Sequence, residues 1–302
     1  MFLPLPMLKR ATLLNNPDPF ALARISFNSL DEYNAYWSRY PDFLREAWLS
    51  HEALGDRSAH FEQRGWCDLC TRACTFSSTP APRHDNARFS FGVNWWQNYL
   101  CDCGLNTLER SVLRVLCDEA QGNKNIYHVG YHSKYRKRLS ERFENVLATQ
   151  YEEGRRPGEV DQQGVQYEDL TQLSFDSEQF DFTICMEVLE HIPYYDKAMK
   201  EMHRTLKAGG RAVLSFPWLG GKNYEHLVRA ELLPDGQIRH LLLPEYHGDP
   251  AKKEGILSFR AFGWKILDEL RQVGFTSAKA EYIFGAFHGY MQLINPIIVV
   301  TK

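Results

Sequence analysis

The sequence predicts an α/β fold: an open sheet with crossover helices, preceded by a helical and cysteine-rich extension. Three observations carry this. Residues 179–216 read as strand, crossover, helix, turn and strand, because Phe180 to Cys185 is a short apolar run and Ala198, Met199, Met202 and Leu206 recur at helical spacing. Two further β-rich runs, 125–130 and 145–150, flank a helix-like segment. Four of the seven cysteines fall in two close pairs upstream.

Composition bounds the function. With 302 residues the chain holds one large α/β domain and a smaller appendage, divided here as 1–104 and 105–302 with an insertion at about 219–258. A net charge of -3 gives no general affinity for nucleic acid or anionic membranes. The first residues, Met1 to Pro6, lack a basic segment followed by a continuous apolar core, so they do not read as a signal peptide, and a cytoplasmic location is expected. In that compartment an odd number of cysteines favours metal binding over disulfides.

Residues 1–65 read as mostly helical. Leu30, Tyr33, Trp37 and Tyr40 follow the Ser29 cap at helical spacing, and Phe43, Leu44, Trp48 and Leu54 continue an apolar face. This segment is either a helical cover on the core or a lid that excludes water. Cys67 and Cys70 form a pair with the spacing of a zinc knuckle, and Cys101 and Cys103 form a tighter second pair. Four thiols suit a structural zinc; Cys74 is an alternative ligand, and free cysteines are the bland alternative. Residues 77–86 form a polar loop between the pairs, and 105–120 a helix with Leu108, Val112, Val115 and Leu116 on one face.

The predicted sheet begins at 125–130. Gly130 follows that strand, but Tyr131, His132 and Ser133 replace a glycine-rich loop. A helix over 135–143 and a strand over 145–150 come next. A third strand over 165–170 passes through Asp169. After 180–185 and the crossover Glu187 to Pro193, the helix 195–206 is predicted to stop at Gly209-Gly210, with a strand over 211–216. Beyond it, Asp235-Gly236 marks a polar hairpin. A helix over 259–273 and strands over 275–284 and 297–301 complete the chain.

The run FDFTICMEVLEHIPYYDKAMKEMHRTLKAGGRAVLSFPW, with Tyr167 to Phe175 before it, resembles the later motifs of class I S-adenosylmethionine-dependent methyltransferases. The whole chain also resembles a bacterial subfamily with an N-terminal cysteine segment and a C-terminal PEYHGDP signature. The resemblance implies a Rossmann-like seven-stranded methyltransferase sheet with a helical and zinc-binding N-terminal extension. It implies S-adenosylmethionine as cofactor, held by Gly130, Tyr131, Asp169, Leu170, Met186 and Glu187. Asp169 would meet the adenine amino group; a surface aspartate is the alternative. Gln150 or Glu152 would receive the ribose hydroxyls.

A sulfonium methyl group is already activated, so the enzyme aligns a nucleophile and removes its proton. His191 in the crossover and His247 in the insertion are candidate bases, with loop-supporting roles as the alternative. Tyr246, Asp249 and Arg229 are candidate acceptor contacts. The expected function is methyl transfer to an oxygen or nitrogen of a small molecule, in specialised metabolism. Another S-adenosylmethionine reaction such as intramolecular cyclisation, and a non-catalytic scaffold, are the competing readings.

Overall fold

The computed structural model describes residues 22–39, 62–78, 95–120, 122–130, 133–248, 255–291 and 295–302. The expected apolar face at Phe43 to Leu54, most of the loop 77–86, Tyr131 and Asp249 lie outside them. The chain divides into two compact units.

The first unit holds 1–27, 31–118 and 281–295. Its described elements are strand β1 (Ala23–Phe27), most of helix α1 (Leu30–Trp37), a small sheet and most of helix α2 (Thr107–Glu119). β1 is a strand within the region expected to be mostly helical. Phe27 is buried within an aromatic cluster, edge-on to Tyr33, Tyr36 and Tyr282, which favours a strand there over continued helix. The small sheet is antiparallel and pairs β2 (Glu62–Cys67), β3 (Arg72–Ser78) and β4 (Tyr99–Cys101). Buried Arg110 of α2 sits between the Phe76 and Tyr290 rings, 4.7 Å from each centroid, and donates to the His288 carbonyl oxygen at 2.8 Å.

The second unit holds 28–30, 119–280 and 296–302. Parallel strands β5 (Asn125–Val129), β6 (Asn145–Gln150), β7 (Gln166–Tyr167), β8 (Phe180–Met186) and β9 (Leu206–Ser215) form its sheet. Strand β17 (Ile297–Thr301) runs antiparallel to β9. With β16 (Ser277–Phe284), the order is β16-β17-β9-β8-β5-β6-β7. β1 and the second half of β16 belong to the first unit. This is the expected Rossmann-like methyltransferase sheet. Its core strands are buried on both faces, with Ile184, Cys185, Val213 and Leu214 fully inaccessible. At the opposite end of the strands, Asp181 accepts from the Asn125 backbone N–H at 2.9 Å and from Lys207 at 2.8 Å. The aspartate of the FDF run is therefore a clamp between strands, far along β8 from its carboxyl end.

Helices α3 (Ser133–Ser140), α4 (Tyr195–Thr205) and α5 (Lys265–Val273) follow the predicted order. Three boundaries differ. α4 ends at Thr205, and Leu206 is already extended, because it pairs with Phe180 in the sheet. Gly209-Gly210 instead form an irregularity inside β9, between the pairs Phe180–Leu206 and Phe182–Arg211. Gly209 has φ 72°, a left-handed turn that suits glycine. The third strand is only Gln166–Tyr167, and Asp169 turns away to bridge Gln172. α5 starts at Lys265, because Arg260–Ala261 (β15) pairs antiparallel with Leu227–Val228 (β10). No helix among the described residues is long and apolar enough to cross a membrane.

The insertion is a set of short hairpins. β11 (Ala230–Leu232) pairs with β12 (Ile238–His240) around Asp235-Gly236, as predicted, and β13 (Tyr246–His247) pairs with β14 (Ile256–Leu257). Ala230, Leu257 and Phe259 form its small buried cluster.

Candidate active site

The strand order reverses between β5 and β8. The chain goes outward from β5 to β6 and β7, then returns to β8 on the other side of β5. Ligands of open α/β sheets bind at the carboxyl ends of the strands that flank such a reversal. Val129 pairs with Cys185, so Gly130 and Met186-Glu187 emerge side by side there.

Two backbones at this edge are unusual. Gly130 has φ 92°, and a Cβ added to it would meet nothing within 4 Å. The space beside its backbone is open, as close approach of a ligand requires. Glu187 has φ 52°, a left-handed conformation that costs a non-glycine residue about 1–3 kcal/mol. Its backbone N–H is held by the Ser215 carbonyl oxygen at 2.9 Å, which keeps it in line with the strand ends.

The neighbouring strand ends carry the other expected cofactor contacts. Gln150 closes β6, half-buried, and its carbonyl oxygen accepts the Glu168 N–H at 2.9 Å. Glu152 is exposed and 3.7 Å from Arg155. Asp169 accepts from both the backbone N–H and the hydroxyl of Thr171 through Oδ1, at 2.8 and 2.7 Å. Leu170 is buried beside it. Leu173, three residues on, donates its N–H to Glu201 of α4 at 2.8 Å, which anchors the loop.

The crossover continues as a 3₁₀ turn over Leu189–His191. Glu190 is fully inaccessible, and neither carboxylate oxygen accepts a hydrogen bond. Its Oε1 instead faces two imidazoles, His191 Nε2 at 3.6 Å and His247 Nδ1 at 3.5 Å. The two rings are 4.9 Å apart and nearly perpendicular. The candidate bases, separated widely in sequence, are thus brought together around a carboxylate that motif reading passed over. The insertion does this. The Phe259 N–H binds the Glu190 carbonyl oxygen, and the Ser258 N–H binds that of Glu245, both at 2.8 Å. Glu245 then links His247, 3.2 Å from its Nε2, to Arg229 at 2.6 Å.

Burial disfavours the His247 imidazolium, but the Glu190 and Glu245 carboxylates hold it, and its pKa is raised to about 9. Burial, then the Glu190 and Glu187 charges, push the Cys185 thiol up, which places both carboxylates near the end of β8. Arg229 is largely buried with Glu245, whereas Tyr246 is exposed. The only sequence signal for Glu190 was its place between Leu189 and His191; Glu245 had none beyond its place in the insertion.

The first unit carries a separate cluster. Cys67, Cys70, Cys101 and Cys103 put their sulfurs within 4.8 Å of one another; Cys74 is not in this group. Cys67 ends β2, and the turn to β3 passes through Thr71 at φ 51°. Cys101 ends β4, and the chain turns at Gly104, φ 86°, so that the Cys103 N–H points to the Cys101 sulfur at 3.5 Å. That turn lets one intervening residue serve where two are usual. Burial and the Cys67 and Cys103 sulfurs push the Cys70 thiol up to about 12. Four sulfurs gathered this closely fit a thiolate-binding cation such as Zn2+.

A family model described as a methyltransferase domain matches residues 115–214. No curated protein matches the chain. Among solved structures, an S-adenosylmethionine-dependent methyltransferase from Mesorhizobium loti shares 15% identity over 64% of this chain and 98% of its own, with a TM-score of 0.40. One from Thermotoga maritima, described as a possible histamine N-methyltransferase, shares 16% over 64% of this chain and 89% of its own, with a TM-score of 0.39. A Bacillus halodurans C-125 protein described as a candidate methyltransferase shares 20% with a TM-score of 0.31; the match covers 38% of this chain and 52% of that one. The chain thus spans about half of that protein. The family match covers β5 to β8 and nearly all of β9, the strands that build the reversal.

Proposed function

We propose that this protein transfers the methyl group of S-adenosylmethionine to an oxygen or nitrogen atom of a small-molecule acceptor in specialised metabolism. The carrying observation is the strand reversal itself: an open glycine backbone at Gly130, a strained Glu187 and the Glu190–His191 pair belong to the carboxyl ends of β5 and β8 or the crossover after them, and His247 of the insertion joins that pair. In this reading Gly130, Tyr131, Met186 and Glu187 receive the methionine part of the cofactor. Gln150 or Glu152 accepts the ribose hydroxyls, and the position of Gln150 at the strand end favours it. Asp169 accepts from the adenine amino group through Oδ2, its Oδ1 being taken by Thr171. Leu170 packs on the adenine.

Arg229, Tyr246 and Asp249 contact the acceptor, and His191 and His247 stand where it loses its proton. The four cysteines hold a structural zinc, in keeping with the resemblance to a cytoplasmic bacterial subfamily. Calorimetric titration with S-adenosylmethionine tests the reading, followed by product analysis. Binding with a methylated acceptor supports it. No binding at high cofactor concentration sinks it, and methylthioadenosine without an acceptor replaces it with cyclisation.

A further inference from the structure

We propose that Glu190, His191 and His247 hold a divalent first-row metal ion whose open position binds the acceptor through oxygen. Three ligand atoms, one from each residue, lie within 4.8 Å of one another. That alone is a cluster. The hydrogen bonds around it make it a site.

His191 Nδ1 lies 2.8 Å from the Leu257 carbonyl oxygen, which only accepts. Nδ1 therefore carries a proton, and Nε2 is the ring nitrogen that faces Glu190 and can serve as a ligand. His247 Nε2 lies 3.2 Å from Glu245 Oε1, itself held by Arg229. Glu245 faces Nε2 of that ring and Glu190 faces its Nδ1, so a cation that displaces the Nδ1 proton meets that nitrogen. Two ring nitrogens and a buried carboxylate thus converge on one point, with no hydrogen bond to the carboxylate. A fully buried carboxylate calls for positive charge beside it, which a metal ion supplies. Outer partners that fix each ring, one a backbone carbonyl and one a carboxylate, are how proteins orient histidine ligands to a metal.

The donor set selects the ion. Two imidazoles and one carboxylate suit Zn2+, Fe2+, Co2+ or Mn2+ better than Mg2+ or Ca2+. Three protein ligands leave a position open, the arrangement of reactive rather than structural sites. Resting on the methyl-transfer reading, that position takes a hydroxyl group of the acceptor. The cation lowers the hydroxyl's pKa, and the proton leaves to solvent. The oxygen then attacks the sulfonium methyl carbon. An O–C bond forms, the C–S bond breaks, and its electron pair neutralises the sulfur. The acceptor is thereby an alcohol, phenol or diol, and the histidines act through the cation instead of as free bases.

Mn2+ tests this, because it is read by electron paramagnetic resonance and avoids the soft thiolates of the cysteine cluster. Chelator-treated full-length protein is titrated with Mn2+, and S-adenosylhomocysteine binding is measured on the same samples. The wild type and Cys70→Ser should each bind a single equivalent. Glu190→Gln and His247→Asn should bind at least tenfold more weakly, with cofactor affinity and melting temperature retained. His247→Asn lies in the partly exposed insertion and serves if Glu190→Gln fails to fold. A folded wild type that binds S-adenosylhomocysteine but no Mn2+, or variants that bind Mn2+ as tightly as wild type, overturns the metal site and leaves methyl transfer standing. Mn2+ binding without cofactor binding confirms the site and removes the methyl-transfer reading.

Discussion

The Nδ1 atom of His191 sits 2.8 Å from the carbonyl oxygen of Leu257, across a sequence separation of 66 residues. The crossover histidine is thus oriented by the insertion, through the hairpin of β13 and β14. Gly255 makes that hairpin. It has φ 76°, and an added Cβ would strike the His247 carbonyl oxygen. Gly255→Ala should therefore displace His247 and cut methyl transfer at least tenfold while S-adenosylhomocysteine affinity stays within twofold. Steady-state assays and calorimetry on one preparation check this, and unchanged turnover would remove the hairpin from the site.

Asp169→Ala should weaken cofactor binding by about 1–3 kcal/mol, the cost of losing a buried, charge-assisted hydrogen bond. Asp169→Asn should lose at least as much, since an amide oxygen kept on Thr171 turns its NH2 donor toward the adenine amino group. Calorimetric titration decides; equal affinities for all three proteins would refute the adenine contact.

Gly130→Val should act on both fold and binding. The left-handed backbone at φ 92° costs a residue with a side chain about 1–2 kcal/mol, and the valine fills the open space beside the strand end. A lowered melting temperature with cofactor binding weakened more than tenfold is expected. Full binding in Gly130→Val would move the cofactor away from this loop.

Glu201 gives a pH dependence. Its hydrogen bonds from Arg204 outweigh partial burial and, with the Leu173 N–H, hold its pKa below the ordinary value. A depressed carboxylate stabilises the fold fully above its unfolded pKa of about 4.3, and that stability is lost as pH falls through the lower folded value. Glu201→Gln should be less stable than wild type by about 1 kcal/mol at neutral pH. The difference should shrink below about pH 4.3. Denaturant melts across that range check it; a constant difference would refute the assignment.

If the four cysteines hold zinc, Cys67→Ser should carry one zinc fewer per chain than wild type, and both this change and strong chelation should lower the melting temperature. The reason is that β2 and β4 of this small sheet end at Cys67 and Cys101, so the metal would tie those ends together. Metal analysis before and after chelation decides it, with intact melting after metal loss as the refuting result.

The strands and helices of the second unit were legible because their signals are local. Period-two and period-3.6 patterns survive in any short window, so 125–129, 145–150, 180–186 and 195–205 stand close to where residue spacing put them. Errors arose where pairing overrode a local signal. Gly209-Gly210 looks like a helix stop, yet Leu206 is drawn into the sheet opposite Phe180. The cysteine pairs were legible for the same local reason, and their convergence was not.

By itself the sequence determined the main strands and helices of the second unit, the crossover at Glu187 to Pro193 and the identity of the two histidines. Only the tertiary structure decided that Glu190 is buried without a hydrogen bond, that both rings turn a nitrogen toward it, and that Glu245 and Leu257 orient them. The physical reason is that a side chain's charge environment depends on what packs against it. Here that partner is an insertion whose hairpins carry weak local signals and are held by long-range hydrogen bonds to the crossover.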